Sequence, residues 1–216
     1  MSKICTHFDD YFDQWNASLG ALCSLLVPHR AQAQDVAFQS FLRLGGGKDA
    51  EIGEQAARIL LFQSAVRLCD DYYLKKMHRR PSRKNLAQTG LPCPDRDALY
   101  ALLRLPFRRR AALALMQAGF SVDELPALLG VSAQQAATLC AEPDIPGWKE
   151  AISSLRMTED EAQQLSDRIV ERFSERSVNV ENAIHDARNA FDRAAPFLAV
   201  LVLALFALSI WYVRRL

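Results

Sequence analysis

Histidine is scarce and cysteine is scattered in this chain of 216 residues. The four histidines, His7, His29, His78 and His185, lie at no ligand spacing from one another or from a cysteine, which argues against a metal site. The five cysteines, Cys5, Cys23, Cys69, Cys93 and Cys140, are odd in number and form no Cys-x-x-Cys pair, so reduced cytosolic thiols are expected. No segment alternates apolar and polar residues as a strand does, and helical spacing dominates, so the expected fold class is all-α. No Ser/His/Asp, Cys/His or paired-carboxylate arrangement stands out. Leu44-Gly-Gly-Gly-Lys48 lacks the spacing and the following Ser/Thr of a P-loop. Neither an enzyme nor a bound cofactor is expected.

One long stretch lacks charge altogether. Ala194 to Val213 is a run of twenty uncharged residues, long enough as a helix to span a bilayer core of about 30 Å. Asp192 and Arg193 bound it on one side and Arg214 and Arg215 on the other, with Trp211 and Tyr212 where an aromatic belt meets the headgroups. The chain start, Met1 to Asp10, has no apolar core and turns acidic, unlike a signal peptide. The expectation is a single-pass transmembrane helix in the cytoplasmic membrane, with the N-terminal body in the cytoplasm.

Net charge is +1, but only because blocks cancel. Residues 75–110 hold eleven Lys/Arg against two Asp/Glu, whereas residues 111–192 hold six against fourteen. The basic block comprises Lys75, Lys76, Arg79, Arg80, Arg83 and Lys84, then Arg104 and Arg108 to Arg110. A short charge run is ordinarily a solvated face. An excess that spans a helix end, a linker and the next helix start points as well to a polyanion, either nucleic-acid phosphate or anionic lipid.

Apolar spacing predicts a first helix through Phe8, Phe12, Trp15, Leu19 and Leu22. A second is expected from Asp35 to Leu44, stopped by Gly45-Gly-Gly47, and a third from Gly53 or Glu54 toward Arg80, ended by Pro81. Residues 1–80 thus form one helical domain, and the Pro- and Gly-containing residues 81–95 a linker. Residues 96–142 form a second domain, with helices expected over Asp97–Leu105 and Phe107–Ala118. Ser121-Val-Asp-Glu124 and Ser132-Ala-Gln-Gln135 are capping boxes that open two short helices around a turn at Gly130, the helix-turn-helix pattern. Residues 143–193 are expected to form an acidic helical stalk, capped by Thr158-Glu-Asp-Glu161 and packed on the body or standing free.

In this order the two units resemble a sigma factor of the extracytoplasmic-function type over residues 5–142. Ala33-Gln-Asp-Val-Ala-Phe-Gln-Ser-Phe-Leu-Arg-Leu44 is similar to the family's Ala-Glu-Asp…Phe-Leu-Arg-Leu helix. Leu61-Phe-Gln-Ser-Ala65…Asp71 resembles its Leu-x-x-x-Ala-x-Asn-x-x-x-Asp, with Arg67 in place of the Asn. Leu102-Leu-Arg-Leu-Pro106…Arg109-Arg110, Gly119 to Glu124 and Leu129-Gly-Val-Ser132 resemble the family's second domain. The resemblance implies a region 2-like bundle and a region 4-like helix-turn-helix. It implies core RNA polymerase as partner for Asp35, Phe41, Leu42 and Arg43. It also implies promoter DNA as partner for two sets of residues. One set is Arg67, Tyr72, Tyr73, Lys75, Lys76, Arg79 and Arg80; the other is Arg108, Arg109, Arg110, Ser132, Gln134, Gln135 and Thr138. An anti-sigma protein or a releasing protease would be a further partner.

Two departures open an alternative. Pro126 stands where the family usually has Ala, and Ser132 to Ala141, the would-be recognition helix, has no Lys or Arg. Major-groove readers lean on Arg, Lys, Asn or Gln, and here only Gln134, Gln135, Thr138 and Ser132 are at hand. Besides a membrane-tethered transcription factor, the sequence therefore fits a degenerate sigma-like adapter or anti-sigma-like regulator that does not read promoters. In that case the acidic segment could repel DNA or cover the basic block.

Overall fold

The computed structural model describes residues 8–45, 53–75, 86 and 88–175. It is all-α, with no strand among the described residues. The chain divides into two compact units, Lys3–Ile169 and a second made of Met1–Ser2 with Val170–Leu216. In the second unit residues 170–175 are described, and they are helical. No helix among the described residues is long and apolar enough to cross a membrane, and the run 194–213 lies outside them.

The first unit is built on α1 (Phe8–Leu26), α2 (Arg30–Gly45) and α3 (Glu54–Lys75), which pack against one another. The apolar stripe of α1 goes inward as its spacing requires, with Phe8 edge-on to Phe41 of α2 and Phe12 tilted against the same ring. Beyond Leu19 the helix is buried on every side, through Val27. Its C-terminal half is central to the unit, because α4 (Arg96–Arg104), α5 (Phe107–Gln117) and α8 (Trp148–Ser154) also pack on it. α2 begins five residues before Asp35, since Ala33 donates to the His29 carbonyl and carries the helix back toward Pro28.

Local signals set the later elements. Asp95 caps α4 by accepting from the backbone of Asp97 and Ala98. α6 (Leu125–Leu129) is a single short turn-and-a-half with Pro126 in its first positions, where the missing N–H costs nothing. Gly130 closes it in the left-handed conformation at φ 62°, and the Ser132–Gln135 capping box opens α7 (Ala133–Leu139). α8, between Pro146 and Leu155, has no cap box and was not expected from the sequence. A last helix of this unit, α9, covers residues 159–169 behind the Thr158–Glu161 box.

The parts on either side of residues 81–95 pack together. Arg110 on α5 donates to the Leu25 carbonyl of α1 at 2.9 Å. Arg58 of α3 donates to the Ala118 carbonyl and lies 4.0 Å over the Phe120 ring, which meets Phe62 edge-on at 4.9 Å. The first half of the acidic segment is packed in as well: Leu155, Leu165 and Ile169 are buried.

Candidate nucleic-acid and partner interface

Two surfaces gather the residues singled out by the sequence. The first is a cleft of about 120 Å³ between α3, α5 and α6. Arg67 and Asp70 line it from α3, Phe107 and Arg108 from the first turn of α5, and Leu128 to Gly130 from the end of α6 and its C-cap. Gln63 fixes its wall by donating to the Ala127 carbonyl at 2.8 Å. Arg67 and Arg108 are both exposed, so two cations from sequence-distant helices face one space. A cation in the first turn of a helix opposes the helix dipole, whereas an anion there is favoured by it. α5 carries no acidic residue in that turn, so the cleft brings two guanidinium groups beside one exposed carboxylate, Asp70, a net positive lining that suits an anion held by the guanidinium groups.

The other residues of the second set separate. Arg110 is 2 % exposed and engaged with Leu25; the expectation that it meets DNA phosphate gives way to a place in the core. Arg109 is half-buried, its Nε enclosed without a hydrogen-bond partner. On α7, Ser132, Gln134, Gln135 and Thr138 are exposed. Ser132 and Gln135 are used by their reciprocal cap, and the Thr138 hydroxyl donates to the Gln134 carbonyl at 3.0 Å. That leaves the Gln134 amide as the side chain on α7 not committed to these local bonds.

Tyr72 is half-buried; its hydroxyl donates to Gln32 of α2, and burial raises its pKa against the opposing effect of that bond. Tyr73 and Lys75 lie on the last turn of α3. Lys76, Arg79, Arg80 and the segment 46–52 lie outside the described residues.

The second surface is the outer face of α2. Phe41 is fully buried and serves the core, so its expected contact with polymerase has no exposed ring to make it. Leu42 is half-buried and Arg43 exposed. Asp35 is exposed and accepts from Arg168 at 3.0 Å, and the Arg168 guanidinium lies 4.6 Å over the Phe38 ring. One turn before Gln34, Arg30 binds Glu161 in a bidentate pair at 2.8 and 2.5 Å, and Gln34 donates to the same carboxylate at 2.8 Å. The Arg30 bonds hold the Glu161 carboxyl down at about 2, aided by the Thr158 backbone N–H.

Arg30, Phe38, Glu161 and Arg168 were not singled out by sequence. The Thr158–Glu161 box marked the position of Glu161, but its partner Arg30 is 131 residues away and left no local sign. Comparison with protein-family models, with curated proteins and with solved structures finds no match to this chain.

Proposed function

We propose that the chain is a sigma-like transcription factor, anchored to the cytoplasmic membrane by residues 194–213, that engages core RNA polymerase through α2 and nucleic acid through its basic surface. In this reading the two helical parts correspond to region 2 and region 4 of a sigma factor. The observation that carries it is the convergence of exposed Arg67 and Arg108 on one cleft, from the two parts that the resemblance assigns to DNA. The sequence adds further cations directly after Lys75, the last residue of α3, at Lys76, Arg79, Arg80, Arg83 and Lys84. Affinity for DNA then comes mainly from phosphate contacts, which position a protein without reading sequence.

Promoter-fragment binding measured across salt concentrations tests this. Replacing Arg67 and Arg108 by Ala is expected to weaken binding about tenfold and reduce the salt slope by roughly two. An unchanged slope would remove the cleft from the interface.

A second reading, a sigma-like membrane adapter that does not read promoters, is favoured by α7, where local bonds engage Ser132, Gln135 and Thr138 and leave Gln134 alone among the expected base-reading side chains. Binding of core polymerase without run-off transcription selects it.

A further inference from the structure

α2 carries a cover. The Arg30 guanidinium, only 11 % exposed, binds both Glu161 oxygens and also donates to the carbonyls of Leu155 and Arg156 and to the Ser24 hydroxyl. Seven residues further along α9, Arg168 closes on Asp35 and Phe38. Glu161, Leu165 and Arg168 stand at i, i+4 and i+7, on one face of a helix. Leu165, between the two charged contacts, is 3 % exposed. The charge order is crossed: cation then anion along α2, anion then cation along α9. That order fixes register and direction, and like charges brought into register would repel.

Toward α1 lies an open groove of about 370 Å³, lined by apolar Phe12, Met157 and Ala162 as well as by polar Asp13, Asn16 and Gln163. At the hinge end, Met157 sits over Gly20 of α1: a Cβ at Gly20 would lie 3.0 Å from Met157 Cβ and 3.2 Å from its backbone nitrogen. The seat thus requires a glycine, and the hold combines the buried side chains of Leu155, Leu165 and Ile169 with two ion-pair clusters, of which the Arg168–Asp35 pair is half exposed.

We infer that residues 155–169 are an intramolecular competitor for the partner-binding face of α2, so that the chain as folded is closed and opens when these residues lift away. The inference rests on the reading that α2 meets core polymerase. Asp35, which that reading needs, is bonded to Arg168, and Phe38, which α2 would offer beside it, lies under the same guanidinium. A polymerase surface that takes this face would match the cover's chemistry: a carboxylate for Arg30, a cation for Asp35 and an apolar group between.

The test uses the full chain in detergent, as wild type, as E161R/R168E, which sets like charges at both clusters, and as Gly20→Leu, which blocks the Met157 seat by volume. Amide exchange is followed in parallel with binding of purified core polymerase. Expected is faster exchange in residues 159–169, retained protection in α1 and α3, and polymerase affinity raised about tenfold or more in both variants. Exchange that stays slow in residues 159–169 in both variants would make α9 a fixed core element and overturn the inference. Faster exchange with polymerase affinity equal to that of the wild type would overturn it while leaving the polymerase reading intact. No polymerase binding by any of the three would overturn that reading, and the inference with it.

Discussion

A guanidinium inside a helical core is costly to bury unless it is hydrogen-bonded, because removing its partner leaves a charge without compensation. Arg110 is buried, and the bond from its Nη1 to the Leu25 carbonyl joins α5 to the centre of α1. Arg108, two positions earlier, is exposed on the cleft. Their variants should therefore separate. Arg110→Ala is expected to lower unfolding stability by about 3 kcal/mol, whereas Arg108→Ala should change it by less than about 0.5 kcal/mol while weakening DNA binding; denaturant unfolding beside DNA titration measures both. The cysteines separate in the same way. Cys23 and Cys69 are fully buried, and burial, with Cys23 adding to it, raises the Cys69 thiol, whereas Cys93 and Cys140 are partly exposed. Among these four, a maleimide should label Cys93 and Cys140 first under native conditions, as read by peptide mass after digestion.

Part of the attachment of α9 is ionic, and that part titrates. Glu161 is depressed from 4.5 to about 2 by Arg30. A lowered carboxylate stabilises the fold above its unfolded pKa and loses that contribution as pH falls through the folded one. The contribution, about 2 kcal/mol after allowance for partial exposure, should be present at neutral pH and fade between pH 4.5 and about 2. Glu161→Gln should accordingly be less stable than wild type at pH 7 and equal to it near pH 2, by thermal or denaturant unfolding. The same helix shows which parts of the fold were legible. Cap boxes at Ser132 and Thr158 and the glycine at 130 announced α7, α9 and the turn between α6 and α7, because each is a bond between near neighbours. α8 has only a left-handed Gly147 before it and was missed. The apolar stripe of α1 is visible in the spacing, but not the burial of Cys23, Ser24 and Leu26 on its other faces, because α1 is packed by α2, α3, α4, α5 and α8 together.

At the scale of the whole molecule, opposite charge blocks were plain in the sequence, but their placement was not. Where the acidic segment is described, Glu161 and Arg168 pair with Arg30 and Asp35 of α2, whereas residues 76–85 of the basic block lie outside the described residues. Nor could residues 81–95 reveal that the parts they join would share a core, since the contacts are Arg58 to Ala118 and Arg110 to Leu25. The Arg67–Arg108 cleft exists only through that union. The most direct measurement is run-off transcription from a chromosomal promoter library, with core polymerase and the detergent-solubilised full chain carrying the opening pair E161R/R168E. The account predicts transcripts that require the chain and disappear when Arg67 and Arg108 are also replaced by Ala. Failure of the chain to hold core polymerase, together with DNA affinity indifferent to Arg67 and Arg108, would contradict it.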